Sequence, residues 1–272
     1  MHGLPRQEVA PASARPRALI ALIALIALVR LRAPVAAWAD HAMGGHDHAS
    51  TELSAGLAIE AASYDNALFT GTYQGLTPSL GWMRGRFGAS ATISLYHVDE
   101  NGRSVYGLGD AMLAGHVVVI ARDTVQAGAA LHVMFPTGSP DDSLGMGHTM
   151  AMPSLWASWR ATRLTLTASA GYGRALATMG AGHRHGAGPL VDPMNVEEVT
   201  WSAGAELALG HGLRLGGRAT GALPIGDGQA RAITGGRVAW GTPRISTGVE
   251  LQVGLVGDPF TVRGIVDTAL RF

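Results

Sequence analysis

The chain has 272 residues, 20 lysines and arginines balanced by 20 aspartates and glutamates, 38 glycines and no cysteine. Without thiols, disulfide staples, thiolate zinc sites, a cysteine nucleophile and a lipoprotein anchor are all excluded, and the balanced charge offers no basic field for nucleic acid. Sparse aromatics and a slightly positive mean hydropathy, with no second long apolar segment, suit alternating strands better than helical membrane spans.

At the amino terminus Arg15 and Arg17 precede an apolar run over 18–29, and Ala37-Trp38-Ala39 presents small residues at the two positions a signal peptidase reads. The run is too short to cross a bilayer as a helix, which takes about 20 residues. The expected organisation is a cleaved signal peptide over 1–39, a histidine-rich periplasmic tail over 40–50 and a barrel over 51–272. Arg30 and Arg32 interrupt the usual signal pattern, so a retained anchor is the competing reading.

Period-two segments begin after Ser50, and alternate side chains of a strand point to opposite faces. Leu53, Ala55, Leu57, Ile59 and Ala61 share one face and Ser54, Gly56, Ala58 and Glu60 the other. Leu76, Pro78, Leu80 and Trp82 form the next apolar face, in which the proline is an awkward strand residue. Phe87 to Leu95 alternate with Ser90, Thr92, Ser94 and Tyr96; a fourth strand covers about 108–121, and a fifth turns Val125, Ala127, Ala129, Leu131, Val133 and Phe135 to one side. Strands at about 151–160 and 163–173 follow. In the second half Val199, Trp201, Leu207 and Leu209 oppose Thr200, Ser202 and Glu206; Leu213, Leu215 and Leu223 oppose Arg214 and Arg218; and 230–240 place Arg231 and Arg237 together. Val249, Leu251 and Val253 oppose Glu250 and Gln252. In the last strand Phe260, Val262, Val266, Leu270 and Phe272 are expected on one face, opposite Arg263, Asp267 and Arg271.

A membrane barrel turns its apolar face to lipid, lines its lumen with polar groups and keeps aromatic side chains at the interface. The expected fold is therefore all-β: a transmembrane antiparallel up-and-down β-barrel of about twelve strands, an even number as bacterial single-chain barrels require. Connection lengths agree. Tight links near Gly85, Arg122-Asp123, Ala161-Thr162, Gly210-His211-Gly212 and Thr242-Pro243 alternate with longer ones over 63–75, 98–106, 136–149 and 175–197, leaving Gly257-Asp258-Pro259 as a short exception. The tight turns and both termini are assigned to the periplasmic side.

Two short motifs carry a family resemblance. Gly107-Leu108-Gly109-Asp110 opening a strand and Phe135-Pro136-Thr137-Gly138 closing the next resemble the outer-membrane family named for the meta-pathway of phenol degradation, whose members are often called transporters. Asp192-Pro193-Met194-Asn195, before Glu197 and Glu198, is similar to members with histidine-rich external loops. The resemblance implies a small outer-membrane transport barrel and assigns no catalytic residue.

The expected lumen is ionic, with Glu60, Asp110, Glu206, Glu250 and Asp267 facing Arg214, Arg218, Arg231, Arg237 and Arg263. Since rings of fixed charge set pore selectivity, these residues shape either an anion-favouring constriction or a salt-bridged lining without a transport role. The expected partners are outer-membrane lipid and a small-molecule solute. The rival reading is a non-conducting barrel that displays metal-binding or adhesive loops.

Histidine and methionine gather at His41 to His48, at Met146 to Met152 and around His183-Arg184-His185. A His-x-His pair on extended backbone puts both rings on one side, and thioether sulfur favours Cu(I). No cofactor is required by this reading, but copper or zinc ions are expected ligands of His46, His48, His148, His183 and His185, with Met146 and Met150 favouring reduced copper. The competing explanation is that glycine-rich segments tolerate polar residues and that methionine fills irregular space. Asp110, Met112 and His116 share one face of a strand, and His132 with Met134 the corresponding face of its neighbour; if that face is the lumen they are soft ligands along the pore or simple filling. A hydrolase would need a serine close to a histidine base; Ser139 or Ser143 with His148 meets that need only by sharing a loop. No phosphate-binding glycine loop and no helical metalloprotease motif occurs, so no enzyme is expected.

Overall fold

A computed structural model describes residues 51–65, 70–100, 102–177, 191, 193–257 and 260–272. The expected signal segment and tail, with His46 and His48, lie outside the described residues, as do His183 and His185. Fourteen strand segments run in order: β1 (Thr51–Asp65), β2 (Thr70–Arg84), β3 (Phe87–Thr92), β4 (Leu95–Glu100), β5 (Arg103–Leu108), β6 (Ala111–Ala121), β7 (Val125–Phe135), β8 (Thr149–Arg160), β9 (Leu164–Ala177), β10 (Glu197–Gly210), β11 (Leu213–Pro224), β12 (Arg231–Gly241), β13 (Ile245–Val256) and β14 (Val262–Arg271).

Each pairs antiparallel with its neighbours, and β1 pairs with both β2 and β14, which closes the sheet. β3 and β4 both lie along β2, on its lower and upper halves, so they are two parts of one strand interrupted at Ile93-Ser94. β5 and β6 form another, interrupted at Gly109-Asp110. The result is a closed 12-strand antiparallel barrel. Its tight turns and the two ends of the barrel chain lie at one end, here the turn end, and the longer connections at the other, the loop end.

The faces follow the alternation of the sequence. Leu80, Phe87, Leu131, Leu155, Leu207, Leu215, Val249 and Leu251 are exposed on the outside, and polar residues at the intervening positions face inward. Pro78 has a physical accommodation. The ladder of β2 with β4 ends at Leu76 and that with β3 resumes at Ser79, so on that side the proline stands where the ladder is broken. A residue without an N–H is tolerated there. The Thr77 and Ser94 hydroxyls hydrogen-bond across the break at 2.7 Å, and Gly109 donates its N–H to the Ser94 carbonyl at 2.8 Å.

Three expectations need correction. Phe260 does not share the outer face of the last strand: it is 4% exposed and turned into the lumen. The connection expected over 63–75 is mostly strand, since β1 and β2 stay in register as far as Asp65 opposite Thr70; likewise β4 and β5 pair as far as Glu100 opposite Arg103. Outward residues in these upper hairpins, such as Thr72, Gln74, His97 and Ser104, are polar, so the strands lose their apolar stripe while their ladder continues.

Candidate functional site

The lumen has three zones. The first is an ionic wall on β10 to β14 and β1. Arg231 Nη2 donates to both carboxylate oxygens of Glu198 at 2.9 and 2.8 Å, and the Asn195 backbone N–H and side-chain amide donate to the same carboxylate at 2.9 and 2.7 Å. Arg218 Nε donates to Glu250 Oε1 at 2.7 Å, and Gln252 donates to that oxygen at 2.6 Å. Arg237 forks onto Asp267, with Nη2 to Oδ1 at 2.7 Å, and reaches Glu250 at 3.9 Å. Arg214 pairs with Glu206 at 3.3 Å and Arg271 with Glu52 at 3.6 Å. Arg263 lies 3.7 Å from Glu60, donates to Gln252 at 2.7 Å and to the Tyr73 hydroxyl at 3.1 Å, and packs its guanidinium 4.6 Å from the centre of the Phe260 ring.

The acidic and basic residues expected in the lumen thus face it, and each arginine of the expected set sits against a carboxylate. Such pairing forms a charge zipper along the wall with no excess of positive field. Glu198 is fully buried and anchors its upper end. Its role beside Arg231 does not follow from the sequence, because the two stand on β10 and β12: Glu198 pairs with Pro224 and Arg231 with Ala222 on the intervening β11, and the guanidinium spans that strand to reach the carboxylate at 2.8 Å.

The second zone is an apolar collar near the loop end. Tyr64, Tyr73, Tyr96 and Val98 from the strands meet Leu144, Val191 and Phe260 from three separate connections. Tyr73 packs on Tyr64 with ring centres 5.8 Å apart and edge-on to Tyr96 at 5.7 Å. Leu144 reaches the collar because its loop folds inward. Asp110 accepts hydrogen bonds from the backbone N–H groups of Gly138 at 2.9 Å and Met146 at 2.7 Å, while Thr137 bridges the Gly109 carbonyl and the Ala111 N–H. The motif residues around Asp110 and Gly138 therefore clamp this loop. Asp110 serves as the clamp and is not an open ring charge.

The third zone is a wall of sulfur and imidazole on β6, β7 and β8. Met112, His116, His132 and Met134 all face the lumen, as expected, and are joined there by Met150 and Met152. Met146 and His148 are buried at the loop end of this wall, with His148 close enough to Asp110 to interact electrostatically. The loop that carries Met146 and His148, two of the expected metal ligands, folds inward and buries both. Among the described residues no three of histidine, aspartate and glutamate converge as a metal site. Ser143 donates its hydroxyl to Glu100 at 3.3 Å, so its proton points to a carboxylate and not to a histidine base.

A cavity of about 400 Å³ at the turn end is lined by Arg160, Thr165, Glu206, Arg214, Ser246 and Arg271 among others. The chain is similar to an outer-membrane channel from Pseudomonas putida F1, with a TM-score of 0.60 at 12% identity over 84% of this chain and 99% of the other. The fold is that of outer-membrane β-barrels. A second likeness, to the KdgM porin, has a TM-score of 0.52 at 10% identity over 80% of this chain and 99% of that one. No protein-family model matches the sequence, and no curated protein matches it. The resemblance to the phenol meta-pathway family thus finds support at the level of an outer-membrane barrel and no further.

Proposed function

We propose that this protein is an outer-membrane channel for small solutes, with its turn end in the periplasm and its loop end outside. The observation that carries the reading is the polar vestibule, about 400 Å³ in volume, that opens at the turn end beneath a lumen lined by paired charges. An eight-stranded barrel is just filled by its own side chains, whereas twelve strands enclose more space. The exposed leucines and valines of the outer face supply the surface that lipid would cover. Similar structures described as a channel and a porin agree with a transport role and give no support to catalysis.

The collar supports a second reading, a barrel closed to solutes that presents its loops. Planar-bilayer recording separates the two. The channel reading expects stepwise conductance in the parent and a shift toward cations when Arg237→Glu places a carboxylate beside Asp267 and Glu250. A barrel that stays silent over a range of voltages, in both the parent and a Leu144→Ala variant with a loosened collar, sinks the channel reading.

Metal capture by His46, His48, His148, His183 and His185 is a separate part of the proposal. Calorimetry with copper and zinc, on the parent and on a variant lacking all five histidines, tests it; equal affinity in the two would remove it.

A further inference from the structure

We propose that the wall formed by β6, β7 and β8 is a lumenal site for a soft monovalent cation, Cu(I) or Ag(I), held by thioether and imidazole groups. The proposal deepens the channel reading and rests on it for the idea that the ion is cargo; the site itself is tested separately.

Strand register brings these groups together. Met112 stands directly opposite Met134, and Met134 directly opposite Met150, so three thioethers form one row across three adjacent strands. One step toward the turn end, His132 stands opposite Met152. His116 follows on β6, one further step down. Neighbouring strands are about 4.8 Å apart and alternate residues along a strand about 6.7 Å apart, so each ligand group has others within the reach of a flexible side chain. All six project to the same side of the sheet.

Small residues make room for them. The side chains of Glu198, Met150 and Met152 come within 3.3, 3.4 and 3.5 Å of the point where a β-carbon on Gly173 would stand, so two methionine chains and the methylene of Glu198 crowd over this glycine. The His116 ring lies over Gly88 so closely that a β-carbon there would overlap it, at 2.1 Å.

Donor chemistry then selects the ion. Thioether and imidazole favour Cu(I) and its relatives, whereas calcium, magnesium and sodium need oxygen ligands. The nearby carboxylates are already engaged: Asp110 by the N–H groups of Gly138 and Met146, and Glu198 by Arg231 and Asn195. A wall meant only to be apolar could use leucine or valine, as the outer face does throughout. Here four of the chain's ten methionines occupy two consecutive rows instead.

The test uses purified protein in detergent, with isotope label on the methionine methyl groups and silver nitrate as the probe. His46, His48, His183 and His185 are replaced by alanine throughout, so that silver bound outside the lumen is removed. The expected result is that the methyl resonances of Met112, Met134, Met150 and Met152 shift together at one equivalent of silver. Replacing those four methionines with leucine, which keeps volume, is expected to weaken silver binding roughly tenfold or more by calorimetry. Should the four methyls stay unshifted, or the leucine variant bind silver as tightly as its parent, the site does not exist. A single Met134→Leu variant serves the same comparison if the fourfold change fails to fold. Conductance in potassium nitrate is recorded alongside: currents that silver slows in the parent but not in the leucine variant place the ion on the conduction path. Silence of both proteins that persists when Leu144→Ala loosens the collar overturns the channel reading, while the methyl shifts still decide the site.

Discussion

The two inner walls of this barrel solve the same problem with opposite chemistry. On β10 to β14 and β1, long charged side chains fill the lumen and satisfy one another; on β6 to β8, soft uncharged side chains face it. The difference lies in what each wall demands of its partners. A buried carboxylate or guanidinium must have its counter-charge in place, because an isolated ion in such surroundings is expensive. A thioether makes no such demand, so the methionine wall depends less on the identity of each neighbour. Rigidity and specificity of geometry belong to the first wall, adaptability to the second.

The contrast can be broken most sharply at Glu198. Glu198→Ala leaves the half-buried Arg231 without its fork of acceptors, and a loss of about 3 kcal/mol is expected in urea refolding into lipid vesicles. A change below about 1 kcal/mol would mean that water reaches this pair and that the zipper is not structural. Next in size is Asp110→Ala, which removes the acceptor for two loop N–H groups. About 2 kcal/mol of loop docking should be lost, with larger or noisier channel openings as Leu144 leaves the collar; unchanged currents would separate the collar from conduction. On the other wall, Met134→Leu keeps volume and removes sulfur. Its effect on stability should remain under about 1.5 kcal/mol, and a greater loss would show that this wall is as tightly constrained as the ionic one. Smallest of all is Arg103→Ala. Its partner Asp142 lies at the exposed rim, so a stability change below about 1 kcal/mol is expected in the same refolding measurement.

Much of this was legible in the chain before its fold. The outer face could be read because leucines, valines and tryptophans recur at every second position, and the inner charges could be read from the positions between them. Arg237, Glu250 and Asp267 were placed in the lumen by alternation alone. Their partners were not, since a strand pattern carries no register, and register is what sets Arg231 beside Glu198 and Met134 beside Met112 and Met150. The collar was hidden for a different reason. Tyr64, Tyr73 and Phe260 lie near strand ends, where an aromatic residue in a barrel suggests an interface with lipid; only the inward fold of the loops turns them into a core. The upper hairpins were read as loops because Gln74, His97 and Ser104 are outward and polar, bound to one another through the two ring nitrogens of His97.

Pro78 carries a consequence for assembly. A closing barrel can slip its strands by two residues and still keep leucines outside and charges inside, so hydropathy alone does not proofread the register. The proline does. In the native alignment it meets the interruption between β3 and β4, but a slip of two residues along that partner sets it against a continuous ladder, where it has no N–H to give. The orphaned carbonyl would then face hydrocarbon or a dry lumen at a penalty of several kcal/mol. One residue that looks like a flaw in its strand thus marks which of several closely similar closures is the right one.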